Sequence, residues 1–131
     1  MDAALTRLVW QRAHGRCEYC HMPQAADDAP FEIDHVIARK HLGPTIAGNL
    51  CVSCYYCNSF KGSDISSLDR KTRKLTPLYN PRRHKWATHF RWQGPYLIGR
   101  TAIGRVTIAL LHINEDVRVE LREELLAEGL F

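Results

Sequence analysis

Five cysteines, at positions 17, 20, 51, 54 and 57, constrain this chain more than any other feature. They fall in two groups, RCEYC at 16–20 and CVSCYYC at 51–57, and within each group neighbouring cysteines stand three apart. Two such knuckles supply the four thiolates of a closed tetrahedral zinc site. Disulfides are the other use of cysteine. An odd number, in a chain whose N-terminus lacks the basic-then-apolar layout of a signal peptide, reads instead as metal ligands in a reducing compartment, so a cytoplasmic protein is expected. The second group offers two overlapping pairs, Cys51/Cys54 and Cys54/Cys57, and spacing alone leaves both open. Cys17, Cys20, Cys54 and Cys57 are the preferred set, because Cys51 lies inside an apparent strand where a small buried thiol suffices. Zinc there would tie residues 16–20 to 51–58 with a free energy on the order of 10 kcal/mol, comparable with the whole stability of a small domain.

At 131 residues the chain suits a single domain, 1–131, with a core over about 7–70 and an extension over about 76–131. The longest apolar run, VTIALLHI at 106–113, is too short to cross a bilayer, so no membrane partner is expected. A helix is expected over 3–14, capped by Asp2, with Leu5, Leu8 and Val9 as its apolar stripe. FEIDHVIA (31–38) and NLCVSC read as strands, residues 57–69 as a helix, and THFRW and YLIGR around QGP as a second hairpin. Ala102, Ile103, Val106, Ala109 and Leu110 mark another helix. Asn114 is expected to cap a last one with the stripe Val117, Leu121 and Leu125.

Charge is unevenly spread. Residues 61–105 carry eleven basic and two acidic side chains, whereas 106–131 carry two basic and six acidic. Arg82, Arg83 and Lys85 stand near Trp86 and Trp92, a mixture that suits phosphate contacts and base stacking. Lys61, four residues past the last cysteine, is a further phosphate-binding candidate.

Asp34-His35 and Asn49 lie between the knuckles, and Asn58 directly follows Cys57. Hydrolysis of a phosphodiester needs a base for water and a cation for the charge on the phosphate and leaving oxygen. His35 is a natural base, and Asp34 and Asn58 offer hard oxygen ligands to Mg²⁺ or Mn²⁺. In a regular strand Asp34 and His35 would face opposite ways, so both serve one site only if the strand twists, bulges or ends there.

Taken in order, RCEYC (16–20), FEIDHVIARKHLGPTIAGNL (31–50) and CVSCYYCNSFKG (51–62) resemble the HNH endonucleases over roughly residues 7–65. The resemblance implies an α+β fold: a zinc-stapled ββα-metal (His-Me finger) core with added helices. It implies metal-dependent DNA cleavage leaving 5′-phosphate and 3′-hydroxyl ends. His35 is then the general base, Asp34 and Asn58 the catalytic metal ligands, and Asn49 the positioning residue. Three positions depart from the family pattern. Asn58 stands where many members have histidine, Gly43-Pro44 replaces a Gly-Gly turn, and Gly48 replaces an acid before the asparagine. The partner implied is DNA, with weak sequence specificity. The alternatives are an inactive zinc-knuckle module that binds nucleic acid, and a zinc module for protein interaction. The intact Asp34/His35/Asn49/Asn58 set speaks against the first, and the basic middle segment lends nothing to the second.

Overall fold

A computed structural model describes residues 1–131. The first helix, α1 (Ala3–Ala13), opens at Asp2, whose carboxylate accepts from the Leu5 N–H at 2.8 Å. That bond satisfies an amide left unpaired at the helix start. The helix ends where His14 and Gly15 turn left-handed, at φ 54° and 71°. Val9 is buried and Leu5 and Trp10 pack on the core, but Leu8 is exposed, so the stripe is rotated from the expected one. Arg12 donates to the carbonyls of Ala47 and Leu50 at 2.6 and 2.5 Å, fixing α1 across the segment that follows.

The two strands expected around the cysteines are β1 (Glu32–His35) and β2 (Leu50–Ser53). They pair antiparallel, with Asp34 opposite Cys51 and His35 opposite Leu50. Helix α2 (Tyr55–Lys61) follows directly. It is shorter than the helix expected over 57–69, because Gly62 takes φ 51° and stops it. The remainder of that stretch belongs to a hairpin of β3 (Ser66–Leu68) and β4 (Leu75–Pro77), which the helical expectation missed.

The basic segment then runs into a short helix, α3 (Trp86–His89), and the expected hairpin of β5 (Phe90–Gln93) and β6 (Tyr96–Gly99). Helices α4 (Ala102–Leu110) and α5 (Asp116–Ala127) complete the chain, and neither is long and apolar enough to cross a membrane. The fold is mixed, with helices around three small antiparallel hairpins. One cluster of 21 buried residues runs from Val9 through the cysteines to Leu125.

The last helix departs most from expectation. Val117 is 53% exposed, while Arg118, Val119, Arg122 and Leu125 are buried. Arg118 donates to Asp27 at 3.0 Å and lies over the Tyr56 ring. Arg122 donates to the carbonyls of Pro95 and Ile113 at 2.7 and 2.9 Å and lies over Trp92. Asn114 does not cap α5. Its amide forms two bonds with the Leu97 backbone, at 2.8 and 2.9 Å, which fix the β6 strand.

Candidate active site

The sulfurs of Cys17, Cys20, Cys54 and Cys57 all lie within 4.8 Å of one another, and all four side chains are buried. Sulfurs about 2.3 Å from a tetrahedral zinc are separated by roughly 3.8 Å. The Cys20 and Cys54 sulfurs are 3.8 Å apart, so this donor set fits the ion with little adjustment. None of the cysteines is in a disulfide. Burial holds Cys17 well above the usual thiol range, and contacts with the other sulfurs do the same for Cys57. Hydrogen bonds from its three neighbours hold Cys20 well below that range. A divalent cation is what makes four thiolates compatible.

Cys51 is outside the cluster. Its thiol is 3.8 Å from the Tyr19 hydroxyl, and burial together with the facing Asp34 carboxylate pushes it up to about 12. The register Cys54/Cys57 is therefore the one the fold brings together.

Strand β1 ends at His35, which is its last paired residue, opposite Leu50. The His35 Nε2 lies 2.8 Å from the Thr45 hydroxyl. Asn49 is buried. Its amide oxygen accepts from the Ile37 N–H at 2.9 Å, and its NH₂ donates to the carbonyls of Ile37 and Pro44 at 3.0 and 2.9 Å. It holds the loop that follows His35 and touches no reacting group in this arrangement. Gly43 permits the loop to close: a Cβ there would sit 1.7 Å from the Ile37 carbonyl oxygen.

Asp34 is held in a low-dielectric position. Burial raises its carboxyl from the ordinary range, and Lys61 opposes that rise. The Lys61 Nζ is 3.7 Å from Asp34 Oδ2, too far for a hydrogen bond, and this buried oxygen has no other partner. Lys61 itself is only 2% exposed and donates to the carbonyls of His35 and Gly62 at 3.4 and 3.5 Å. The phosphate contact read from its spacing is corrected accordingly, since this ammonium faces inward as the counter-charge to Asp34.

Asn58 stands on α2, and its NH₂ donates to Glu32 Oε2 at 2.7 Å. A carboxylate only accepts, so it is the amide nitrogen that must face Glu32. The Asn58 oxygen is left available. Asp34 Oδ2 without a hydrogen bond and a free amide oxygen are a suitable start for a hard divalent cation. Glu32 and Thr45 are the two residues that sequence reasoning missed. Glu32 lies two residues before Asp34 and so on its face of the strand, a placement that period-two alternation could have flagged.

Of the basic segment, Arg83 and Lys85 are exposed. Arg82 is not free: its guanidinium pairs with Glu18, whose other oxygen accepts from the Val52 N–H at 2.8 Å. The expectation of a phosphate contact from Arg82 is corrected too, because this side chain ties the basic segment to the first knuckle. The nearby aromatics are structural. Trp86 stacks on His21 with ring centroids 4.0 Å apart, Trp92 packs on Phe131, and Tyr79 and Phe90 are buried.

The four buried sulfurs thus hold a strand–strand–helix unit that carries Asp34 and His35 on β1 and Asn58 on α2. The family model for HNH endonuclease matches residues 17–64, just over a third of the chain, and this HNH match supports a nuclease-type function. The Septu protein PtuB of Bacillus thuringiensis is 24% identical over 107 residues, which are 80% of this chain and 39% of that protein. The chain thus spans about two-fifths of that relative's length. No solved structure matches.

Proposed function

We propose that the chain is a metal-dependent endonuclease hydrolysing DNA phosphodiester bonds, with residues 1–131 working as one domain in the cytoplasm. The observation that supports this reading is that β1 and the helix packed on it carry a base held through one nitrogen, His35, and two oxygen donors without hydrogen bonds, on Asp34 and Asn58. Asp34 and the amide oxygen of Asn58 would hold Mg²⁺ or Mn²⁺, which when bound offsets charge on the phosphate and the leaving 3′ oxygen. His35 takes a proton from the attacking water. Its Nε2 is engaged by Thr45, so Nδ1 is the nitrogen assigned to this task. Thr45 fixes the ring and Asn49 fixes the loop behind it, so both are positioning residues. Glu32 keeps the Asn58 oxygen turned away from itself. Lys61 supplies a counter-charge to the Asp34 carboxylate. In-line attack then leaves 5′-phosphate and 3′-hydroxyl ends. The cysteine cluster takes no part in this chemistry and is assigned a structural Zn²⁺ with no open position.

Cleavage of supercoiled plasmid with and without Mg²⁺ tests the proposal. His35→Ala should slow cutting by a factor of about 10²–10⁴ while zinc content and fold stay intact. Undiminished cutting by that variant would end the assignment of the base.

A further inference from the structure

The largest group of unpaired cations lies outside every residue set discussed so far. Between β3 and β4 the chain reads Asp69-Arg-Lys-Thr-Arg-Lys74. Arg70, Lys71, Arg73 and Lys74 are all exposed, and none of their side chains enters an ion pair or hydrogen bond within the protein. The only acid in the hairpin, Asp69, is 1% exposed and directed inward. Four positive charges are thereby presented to solvent with no negative one among them.

The turn that carries them is rigid. The Asp69 N–H donates to the Lys74 carbonyl at 3.0 Å and the Arg73 N–H to the Asp69 carbonyl at 2.7 Å. The Asp69 carboxylate accepts from the Thr72 N–H at 3.0 Å. Arg105 on α4 donates to both of its oxygens, each at 3.0 Å, so the turn is bolted to the helix beneath it by a bidentate pair. Arg73 adopts φ 64°, a conformation that costs a non-glycine residue and that these bonds enforce. A merely solvated charged loop needs no such bracing.

The hairpin is also placed next to the proposed chemistry. At its base Leu78 donates to the Ile65 carbonyl at 3.0 Å. Ile65 and Leu78 line a cavity of about 270 Å³ together with Val36 and Ile37, which directly follow His35, and with Lys61. Three strand residues carry the turn roughly 10 Å beyond that base, at about 3.3 Å per residue. Leu68 and Leu75 face each other across the strands and are 65% and 70% exposed, giving the arm an apolar flank below its charged tip.

We propose that this hairpin is a preformed arm that grips the phosphate backbone of duplex DNA to one side of the reacting phosphate. The proposal rests on the nuclease reading for its partner and is tested apart from cleavage. Binding of the zinc-loaded chain to a 20-base-pair duplex is measured at several salt concentrations without divalent metal. Replacing the four cations together (Arg70→Gln, Lys71→Gln, Arg73→Asn, Lys74→Gln) should reduce the slope of log K against log salt by about 3.6 if each meets one phosphate. Zinc content and melting temperature should be unchanged. With metal added, the same variant should show a raised KM and an unaltered kcat. Arg105→Met keeps the cations but unbolts the turn, so it should weaken binding without changing the slope. An unchanged slope in the fourfold variant would overturn the proposal, as would a wild type that binds vesicles rich in anionic lipid but not the duplex. Should the duplex be gripped by the arm yet never cut with Mg²⁺ or Mn²⁺, the nuclease reading fails and the arm stands.

Discussion

In residues 17–64 four buried sulfurs, of Cys17, Cys20, Cys54 and Cys57, are gathered into a single point. In residues 65–131 guanidiniums do the tying, with Arg105 on Asp69, Arg122 on the carbonyls of Pro95 and Ile113, and Arg118 reaching back to Asp27. Sulfur ligands converge on one ion, so their spacing along the chain is fixed and readable. Arginines bridge many partners over long distances, with 91 residues separating Arg118 from Asp27, and leave no regular spacing behind. The first region is stapled at a point. The second is laced along its length.

The widest difference should appear on metal removal. Stripping zinc with a chelator should unfold residues 17–64 cooperatively, since structural zinc contributes on the order of 10 kcal/mol. Circular dichroism and backbone NMR would follow it, and β1–β2 amides that stay protected would show the staple to be dispensable. Next in size is the buried pair of Arg118 and Asp27, each 5% exposed. Asp27→Asn leaves a buried guanidinium without its counter-charge and should cost about 3–5 kcal/mol. Replacing both partners by apolar residues (Asp27→Leu with Arg118→Met) should restore most of the loss in urea melts. A smaller effect is expected at Lys61, because its partner Asp34 is 19% exposed and partly wet. Lys61→Met should destabilise by about 1–3 kcal/mol. Added Mg²⁺ should recover part of this by neutralising Asp34. The salt slope of DNA binding should not move, whereas a loss of about 0.9 would return Lys61 to the phosphate. Least of all, Cys51→Ser should cost about 1 kcal/mol or less, as the Tyr19 hydroxyl is at hand to bond the new one. Loss of zinc from that variant would reverse the register assigned here.

The same contrast explains what the sequence disclosed. Cysteines three apart, a carboxylate beside an imidazole and an amide after Cys57 are local patterns tied to local chemistry, so β1, β2, α2 and the sulfur cluster were legible. Glu32 was not, because its role appears only once α2 folds back across the strand and delivers Asn58 to it. Thr45 lies ten residues from His35 in a loop without periodicity. In the second region Leu121 and Leu125 of the expected α5 stripe do meet the core, but Val117 is exposed, because patterning arguments put arginine outside while this helix buries two. Asn114 could equally cap a helix or clasp a strand, and only the nearby Leu97 backbone decides. Lys61 and Arg82 were drawn toward the substrate by sign of charge alone, when each had an acid of its own to meet.

The burial of two arginines on α5 bears on the metal in a further way. Four thiolates around a divalent zinc leave the centre with a net charge of about −2. The fields of Cys20 and Cys54 bear on both Arg118 and Arg122, and Arg122 keeps one buried Nη1 with no hydrogen-bond partner. Asp27 already meets the charge of Arg118, so Arg122 is the guanidinium left to offset part of that charge inside a low-dielectric interior. The last helix is therefore docked where the charge of the sulfur cluster is felt. A change of charge at the knuckles would thus reach the last helix through Arg122, some 65 residues further along the chain than Cys57.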